Sequence, residues 1–330
     1  MADDGRIETI GIDTFFSDAT SGDEAPAAFV DPDTTLAGAP RARVSITGLK
    51  TLWVNTGTLC NLACTNCYIE STPTNAALVY LTTDELRPYL DEAQSMGAEE
   101  IGFTGGEPFM NRDAPAMLGE ALGRGFSILV LTNAMRPMMR PRVQEALLAL
   151  RDAYGPRLKL RVSLDHYTRE GHDAERGAGA YDVAVEGLLW LQAEDFALSV
   201  AGRGAPDESE AQGRRGYAKA FAAMGLKLDA DDPRDLVVFP EMDETAATPE
   251  ISEACWDIVG VQPSSVMCAD ARMLVKRKGA ERPTVLACTL IPYDDRFDLG
   301  ERLVDATEPV SLNHPHCSRF CVLGGASCSG

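Results

Sequence analysis

The sequence has little positive charge and no segment suited to crossing a membrane. Its 330 residues include 30 lysines and arginines against 50 acidic residues, which gives a formal net charge of −20 at pH 7. This charge would repel a phosphate backbone, so nucleic acid is not expected as a partner. No apolar run is long enough for a bilayer, and the N-terminus lacks the basic and apolar regions of a signal peptide. We therefore expect a cytoplasmic protein without membrane contact, whose partner is a peptide or a small molecule.

Cysteine is absent from the long central stretch of the chain. Nine cysteines occur, three at positions 60 to 67 and six from position 255 onwards, with none between the two groups. The cytoplasm keeps thiols reduced, so grouped cysteines in this compartment indicate metal binding or catalysis rather than a disulfide framework. The sequence therefore points to two separate cysteine groups with chemical roles.

Hydrophobic patterning divides the chain into three parts. Residues 1–44 are rich in acidic and small residues and show no periodicity, so we expect a poorly ordered N-terminal extension. Residues 45–245 alternate β-prone runs with amphipathic helical stretches, which is the pattern of an α/β fold with a parallel sheet. Residues 246–330 contain the late cysteines. We expect this third part to form a separate module.

The central part contains about six βα units. Thr82 and Glu85 form a capping-box pair ahead of the first helix, and the spacing of the later strands fits right-handed crossovers. The predicted strands are KTLWVN, EEIGFT, SILVLT, LKLRVSL, FALSVA and DLVVF, and further helices are predicted over 113–124, 141–153, 181–194 and 209–224.

Cys60, Cys64 and Cys67 have the spacing CxxxCxxC and directly follow the first predicted strand. Ligands of parallel sheets bind at the C-terminal ends of the strands, which is where this loop lies. A tetrahedral zinc ion or an iron–sulfur cube normally takes four protein ligands, and the loop supplies three. The spacing alone leaves three interpretations: an iron–sulfur cluster with one open position, a zinc site with a distant fourth cysteine, and buried reduced thiols.

The segment CNLACTNCY resembles the signature of the radical S-adenosylmethionine (SAM) superfamily. TGGEP at Thr104–Pro108 resembles the GGEP motif of that family, and Thr132 and Asn133 resemble the start of its TNG motif. Residues 163–165, SLD, resemble its SLDG segment. The resemblance covers about residues 50–240 and implies a partial (β/α)6 TIM-like barrel. It also implies a [4Fe–4S] cluster on the three clustered cysteines, with SAM bound at the open iron.

The same resemblance implies which residues bind SAM. Glu107 would accept hydrogen bonds from the SAM ammonium group, and the glycines before it would allow close backbone approach. Arg203 would bind the SAM carboxylate, or be a surface arginine. Ser163 and Asp165 would bind SAM, or merely cap a turn. The predicted cofactor-binding residues are Tyr68, Gly105, Gly106, Glu107, Pro108, Asn133, Ser163, Asp165 and Arg203.

The sequence departs from the family pattern at three positions. Ala134 and His166 stand where the family has glycine, and Asn66 precedes the third cysteine where an aromatic residue is common. Tyr68 lies just after that cysteine instead. The adenine contact is therefore the least defined part of the predicted SAM site.

The C-terminal part is predicted to contain a β-hairpin over residues 264–288, with a turn around Gly279. Its cysteine and glycine pattern resembles the twitch and SPASM modules that carry auxiliary clusters. Four ligands would complete one auxiliary [4Fe–4S] cluster, and a structural zinc site is the alternative. Cys255 is expected to be a buried thiol rather than a ligand. The candidate ligands are Cys268, Cys288, Cys317, Cys321 and Cys328.

The function implied by the resemblance is reductive cleavage of SAM to a 5′-deoxyadenosyl radical. The radical would abstract hydrogen from a peptide or small-molecule substrate, and a flavodoxin or ferredoxin would supply the electron. The auxiliary cluster would transfer electrons or bind substrate. Two alternatives from other classes are an iron–sulfur electron carrier or scaffold and a zinc-stabilised binding protein. The sequence assigns no catalytic residue on the protein itself.

Overall fold

The computed structural model describes residues 27–205, 207–240 and 247–325. Cys328 lies outside these residues, as do the first 26 residues of the predicted extension. The strands are β1 Arg43–Val44, β2 Thr51–Asn55, β3 Glu100–Thr104, β4 Ser127–Thr132, β5 Leu158–Ser163, β6 Ala197–Arg203, β7 Leu236–Phe239, β8 Ala271–Val275, β9 Thr284–Leu286 and β10 Val310–Ser311. The helices are α1 Thr83–Ser95, α2 Ala114–Gly123, α3 Pro141–Tyr154, α4 Arg169–Arg176, α5 Ala180–Ala193, α6 Glu210–Met224 and α7 Cys255–Val259, and a π-helical segment covers Cys317–Val322.

The main sheet of the described chain has the strand order β7-β6-β5-β4-β3-β2-β8-β9. Strands β2 to β7 are all parallel and follow one another in chain order. They correspond to the six predicted strands, so the α/β fold class is confirmed. In the part of the chain that the structure describes, β7 does not pair with β9, and the barrel is therefore partial.

Strands β2 and β4 have apolar side chains at consecutive positions because both faces of the sheet are covered. In β2, Leu52 and Val54 pack in the cluster that includes the helices, while Trp53 packs in a second cluster with residues from the C-terminal part. All five residues of this strand are buried. A parallel strand buried on both faces therefore explains the run TLWVN.

The first helix begins as its capping box predicts. The Thr82 hydroxyl accepts from the Glu85 backbone N–H at 3.3 Å, and the Glu85 carboxylate accepts from the Thr82 N–H at 3.0 Å. Helix α4 was not predicted. None of the helices in the described ranges is both long and apolar enough to cross a bilayer.

The C-terminal part continues the sheet of the core. β8 pairs in parallel with β2, and β9 pairs antiparallel with β8 after a turn in which Gly279 has φ +84°. The predicted hairpin is therefore present. Because backbone hydrogen bonds join it to β2, the core and the hairpin share one sheet rather than forming two separate bodies.

Residues 27–44 differ from the expected poorly ordered extension. β1 pairs antiparallel with β10, and Ala42 and Val44 are fully buried. Arg41 is also buried, and its guanidinium lies 2.5 Å from the Glu250 carboxylate. The acidic composition of residues 1–44 does not reveal these few buried residues. Their contacts hold residues 27–44 against the C-terminal part of the chain.

Candidate active site and metal centre

The three clustered cysteines lie in the loop that follows β2. Cys60 is buried, Cys64 and Cys67 are half-buried, and all three are free thiols that line one cavity. The cavity lies beside the C-terminal ends of the parallel strands, where Thr104 and Ser163 also contribute to its wall. The structure therefore brings the three cysteines together at the edge of the sheet where ligands are expected.

The two glycines of the GGEP segment are required by the cysteine loop itself. Gly105 has φ +139°, and a Cβ atom there would lie 2.6 Å from the Gly57 carbonyl oxygen. A Cβ atom on Gly106 would lie 2.3 Å from the Leu59 carbonyl oxygen. The Gly106 N–H donates to the Gly57 carbonyl at 2.8 Å. The glycines thus let the β3 loop pack against the backbone of the β2 loop, and both also line the cavity.

Glu107 is a buried carboxylate whose partners are neutral donors. It accepts hydrogen bonds from the Thr132 hydroxyl at 2.9 Å, the Asn133 backbone N–H at 2.9 Å and the Phe109 N–H at 3.2 Å. Burial raises the pKa of Glu107 to about 7, although these hydrogen bonds lower it. Pro108 follows it at the start of a buried 3₁₀ turn. A nearby cation would stabilise the ionised form of this buried carboxylate, so the site is suited to an ammonium ligand.

Asn133 connects the β4 loop to the cysteine loop. Its side-chain amide donates to the Asn61 side chain at 3.0 Å and lies 3.9 Å from the Cys60 sulfur. The next residue, Ala134, has φ +55°, which is the left-handed conformation that favours glycine. The backbone at this position thus has a conformation that glycine adopts readily, although the residue is alanine. Ala134 is also fully buried.

Asp165 is held by two arginines. Its carboxylate accepts from the Arg176 Nε at 2.6 Å and Nη2 at 2.9 Å, and the Arg203 Nε lies 3.5 Å from it. Burial raises the pKa of Asp165, but the charge and hydrogen bonds of Arg176 together with the charge of Arg203 outweigh burial, and the pKa is lowered. Asp165, Arg176 and Arg203 all line the cavity beside the cysteines. Asp165 therefore positions two cations in the cavity wall, which a turn-capping role alone does not require.

Arg203 and Tyr68 lie together beside the third cysteine. The Arg203 guanidinium lies 4.6 Å from the centre of the Tyr68 ring, and its Nη2 donates to the Asn66 carbonyl at 2.7 Å. The Tyr68 ring contacts Phe320 of the C-terminal π-helical segment edge to face, with ring centres 6.5 Å apart. Tyr68 thus lies between the cysteine loop and the C-terminal part of the chain.

Helix α4 supplies two site residues that the sequence analysis missed. Arg176 ends the helix and pairs with Asp165, while Glu175 accepts from the Thr65 hydroxyl at 2.6 Å and from the Asn66 side-chain amide at 2.8 Å. The helix therefore ties the cysteine loop to the end of β5. The only signal in the sequence was an arginine eleven residues after the SLD segment.

Two thiols of the first site, those of Cys60 and Cys64, need a metal to become thiolates. Burial raises the pKa of Cys60 to about 12, and burial also raises the pKa of Cys64. A coordinated metal ion deprotonates a thiol outright. Three sulfur donors in a cavity with adjacent cationic and anionic side chains fit a cluster that keeps one iron open for an amino-acid group.

Four of the late cysteines line a second cavity. Cys268 and Cys317 are buried, and Cys288 and Cys321 are half-buried. The rest of the lining is mainly apolar and includes Phe297 and Leu312, together with the buried His316. Cys255 is half-buried and not part of this lining; its sulfur lies 3.4 Å from the Ser252 hydroxyl.

Among the residues in the described ranges, no three His, Cys, Asp or Glu side chains converge closely enough to hold one metal ion. A zinc ion requires four ligand atoms at about 2.0–2.3 Å from one centre. A cluster spreads its thiolates further apart, because each binds a different iron. The three cysteines of the first cavity and the four of the second are ligand sets that iron–sulfur clusters take.

Comparisons with known proteins match the part of the chain that contains this site. The model of the radical SAM superfamily matches residues 54–211. An AdoMet-dependent heme synthase of Methanosarcina barkeri is 32% identical over 142 residues, which cover 43% of this chain and 38% of that protein. The mycofactocin maturase MftC of Mycobacterium tuberculosis is 32% identical over 138 residues, covering 42% and 33%. The chain thus matches less than two fifths of the length of these relatives.

Solved structures show the same fold. SuiB of Streptococcus suis, bound to its precursor peptide SuiA, superposes with a TM-score of 0.58 at 11% identity over 80% of this chain and 66% of that chain. The structure of anSMEcpe with bound AdoMet superposes with a TM-score of 0.55 at 14% identity over 79% and 77%. The matched region 54–211 contains the cysteine loop, the GGEP segment and the Asp165 ion pair, and it is this region of the chain that is similar to the radical SAM superfamily.

Proposed function

We propose that this protein is a radical SAM enzyme that acts on a peptide or a small molecule. The observation that carries the proposal is the cavity lined by the three clustered thiols, the two glycines of the GGEP segment and two arginines. Cys60, Cys64 and Cys67 would hold three irons of a [4Fe–4S] cluster and leave the fourth to SAM. When bound and reduced, this pair of cofactors supplies one-electron cleavage of SAM to a carbon radical that abstracts hydrogen.

The protein would bind the amino-acid end of SAM through opposite charges. Glu107 supplies a buried negative charge for the ammonium group. Arg203 supplies a positive charge for the carboxylate, since its Nη1 is buried without a hydrogen-bond partner among the described residues. Asn133, Ser163 and Tyr68 would complete the walls of the cavity. Fixed charges of this kind orient a zwitterion without reorganisation and keep water away from the reacting bond.

A second, auxiliary cluster on the late cysteines is part of the proposal. Cys268, Cys288, Cys317 and Cys321 line one cavity and would supply four thiolates, the full set for a [4Fe–4S] cluster. Cys328 is then not needed as a ligand. With all four irons bound by protein, the cluster would transfer electrons rather than bind substrate. The module over residues 246–330 would thus be of the twitch or SPASM type.

A peptide is the favoured substrate within this proposal. MftC is described as a maturase, and SuiB was crystallised with a precursor peptide. The net charge of −20 disfavours a nucleic acid. The similarity to an AdoMet-dependent heme synthase supports a small molecule as the alternative substrate class. A flavodoxin or ferredoxin would supply the electron, in a compartment that keeps the thiols reduced.

The first experiment measures 5′-deoxyadenosine. The protein is reconstituted anaerobically with iron and sulfide, incubated with SAM and dithionite, and analysed by mass spectrometry. The wild type should release 5′-deoxyadenosine, whereas Cys64→Ala should release none. Cys255→Ala is the matched control, because Cys255 lines neither cavity, and its release should equal that of the wild type. Absence of release from cluster-loaded wild type would refute the enzyme and favour an electron carrier or scaffold.

A second experiment tests the two cluster sites separately. Iron, acid-labile sulfide and zinc are measured in the wild type and in the variant Cys60→Ala/Cys64→Ala/Cys67→Ala. We expect about half of the iron and sulfide to remain in the triple variant. Zinc without sulfide in either protein would favour the zinc-stabilised binding protein instead.

A further inference from the structure

Arg272 lies in β8, four residues after Cys268, and is almost fully buried at 1% exposure. Its guanidinium donates to three backbone carbonyls, those of Cys268 at 2.6 Å, Ala271 at 2.8 Å and Ala306 at 2.9 Å. The remaining nitrogen, Nη2, is buried and has no hydrogen-bond partner among the described residues. The Arg272 side chain thus binds the backbone of Cys268, and its Nη2 nitrogen remains without a hydrogen bond to any described residue.

The charge of Arg272 has no carboxylate partner in the described ranges. Arg41 is buried to a similar degree at 2%, but its guanidinium lies 2.5 Å from the Glu250 carboxylate. Arg272 forms no ion pair within the described residues. Burial lowers the pKa of the Arg272 guanidinium, and the Cys268 side chain acts in the opposite direction. A buried charge is expensive unless an opposite charge compensates it. Because the guanidinium contacts the backbone of Cys268, which lines the late-cysteine cavity, the cysteine site is close enough to supply that opposite charge.

We propose that Arg272 is the charge-compensating and positioning residue of the auxiliary iron–sulfur site and raises its reduction potential. This inference rests on the proposed auxiliary cluster. Four thiolates outweigh the positive charge of an iron–sulfur core, so the ligated cluster is an anion and becomes more negative on reduction. A nearby buried cation favours the reduced form, because the low dielectric of the interior strengthens the attraction. The guanidinium would thereby make the auxiliary cluster a better electron acceptor than its apolar cavity alone allows.

The test measures a potential rather than activity. The background is the full chain with Cys60, Cys64 and Cys67 changed to alanine, so that only the auxiliary cluster is present. Arg272→Gln removes the charge but keeps hydrogen-bond donors, while Arg272→Lys keeps the charge. Arg282→Gln is the control, because this arginine lies beyond the hairpin turn and its side chain is 75% exposed. Iron and sulfide per protein are measured first, and the midpoint potential follows from an anaerobic dye titration monitored by electron paramagnetic resonance.

We expect Arg272→Gln to make one-electron reduction about tenfold less favourable, a shift of about 59 mV to more negative potential. Arg272→Lys should recover most of this shift, and Arg282→Gln should show none. A merely structural arginine would instead lower the cluster content of both Arg272 variants and leave the potential of the remaining clusters unchanged. That result overturns the inference while leaving the proposed function intact. If the triple-alanine background holds no iron and sulfide, the auxiliary cluster itself is refuted and the inference falls with it.

Discussion

The pH dependence of stability should reveal the buried carboxylate of Glu107. Its pKa is raised to about 7 from an ordinary value of 4.5. Between these values the folded protein holds a proton on Glu107 that the unfolded chain has lost. The stabilisation is therefore full below pH 4.5 and is lost as the pH rises through 7. A shift of roughly 2.5 units corresponds to about 3 kcal/mol in the free energy of unfolding, as an order of magnitude.

The assay compares the wild type with Glu107→Gln by urea unfolding of the metal-free, SAM-free protein at pH 5 to 8. The wild type should lose about 2.5 kcal/mol more than the variant over this range, because part of the change lies below pH 5. The two proteins are compared by how the free energy of unfolding changes with pH, because the substitution also changes the absolute stability of the variant. The glutamine amide would place a donor opposite the Asn133 or Phe109 N–H, where the carboxylate accepts. Parallel pH profiles for the two proteins would refute the reasoning that an uncompensated carboxylate lies beneath the cavity.

Two further predictions concern packing and the N-terminal segment. Gly187→Ala in α5 should destabilise the fold by about 1–3 kcal/mol, because its Cβ would lie 1.8 Å from the Ala134 carbonyl oxygen. Gly119→Ala in α2 should instead stabilise the fold by up to about 1 kcal/mol, because its Cβ would lie 3.5 Å from the nearest atom and alanine favours the helix. Thermal unfolding measures both, and equal effects would contradict the close contact. Glu250→Gln should cost about 3–5 kcal/mol by leaving Arg41 buried without its anion, and trypsin should then cleave the 27–44 segment sooner. Asp33→Asn, which removes an exposed ion pair, should leave the rate of cleavage unchanged.

The strands could be predicted from the sequence because both faces of the sheet are buried. Runs such as SILVLT contain consecutive apolar residues that no exposed loop would carry. Helix α4 could not be predicted in this way. Its sequence REGHDAER has one buried side chain, His172, and no apolar stripe. Its position depends instead on the ion pair of Arg176 and on the contacts of Glu175, which form only when the chain is folded.

The cysteine spacing and the motif order predicted which loops meet at the cavity, but not how charge is distributed within it. Asp165 is predicted to bind SAM, and the structure shows in addition that it pairs with Arg176 and Arg203. The glycines of the GGEP segment were expected to approach a ligand, and they also pack against the cysteine loop. Arg203 lies on a different βα unit from Asp165, and the glycines lie on a different βα unit from the cysteine loop. Local sequence patterns carry no information about such long-range pairs. For the same reason, the sequence does not show that Cys268, Cys288, Cys317 and Cys321 line one cavity; only the folded structure does.

The hydrogen bonds between β8 and β2 have a consequence for engineering this protein. A chain cut at residue 246 would leave β2 as an edge strand, with unpaired backbone groups along the strand that leads into the Cys60 loop. It would also remove Phe320 from beside Tyr68. The C-terminal part is therefore not a cassette that can be deleted or transplanted, and chimaeras with members of the superfamily should exchange it together with β2 and the loop that follows.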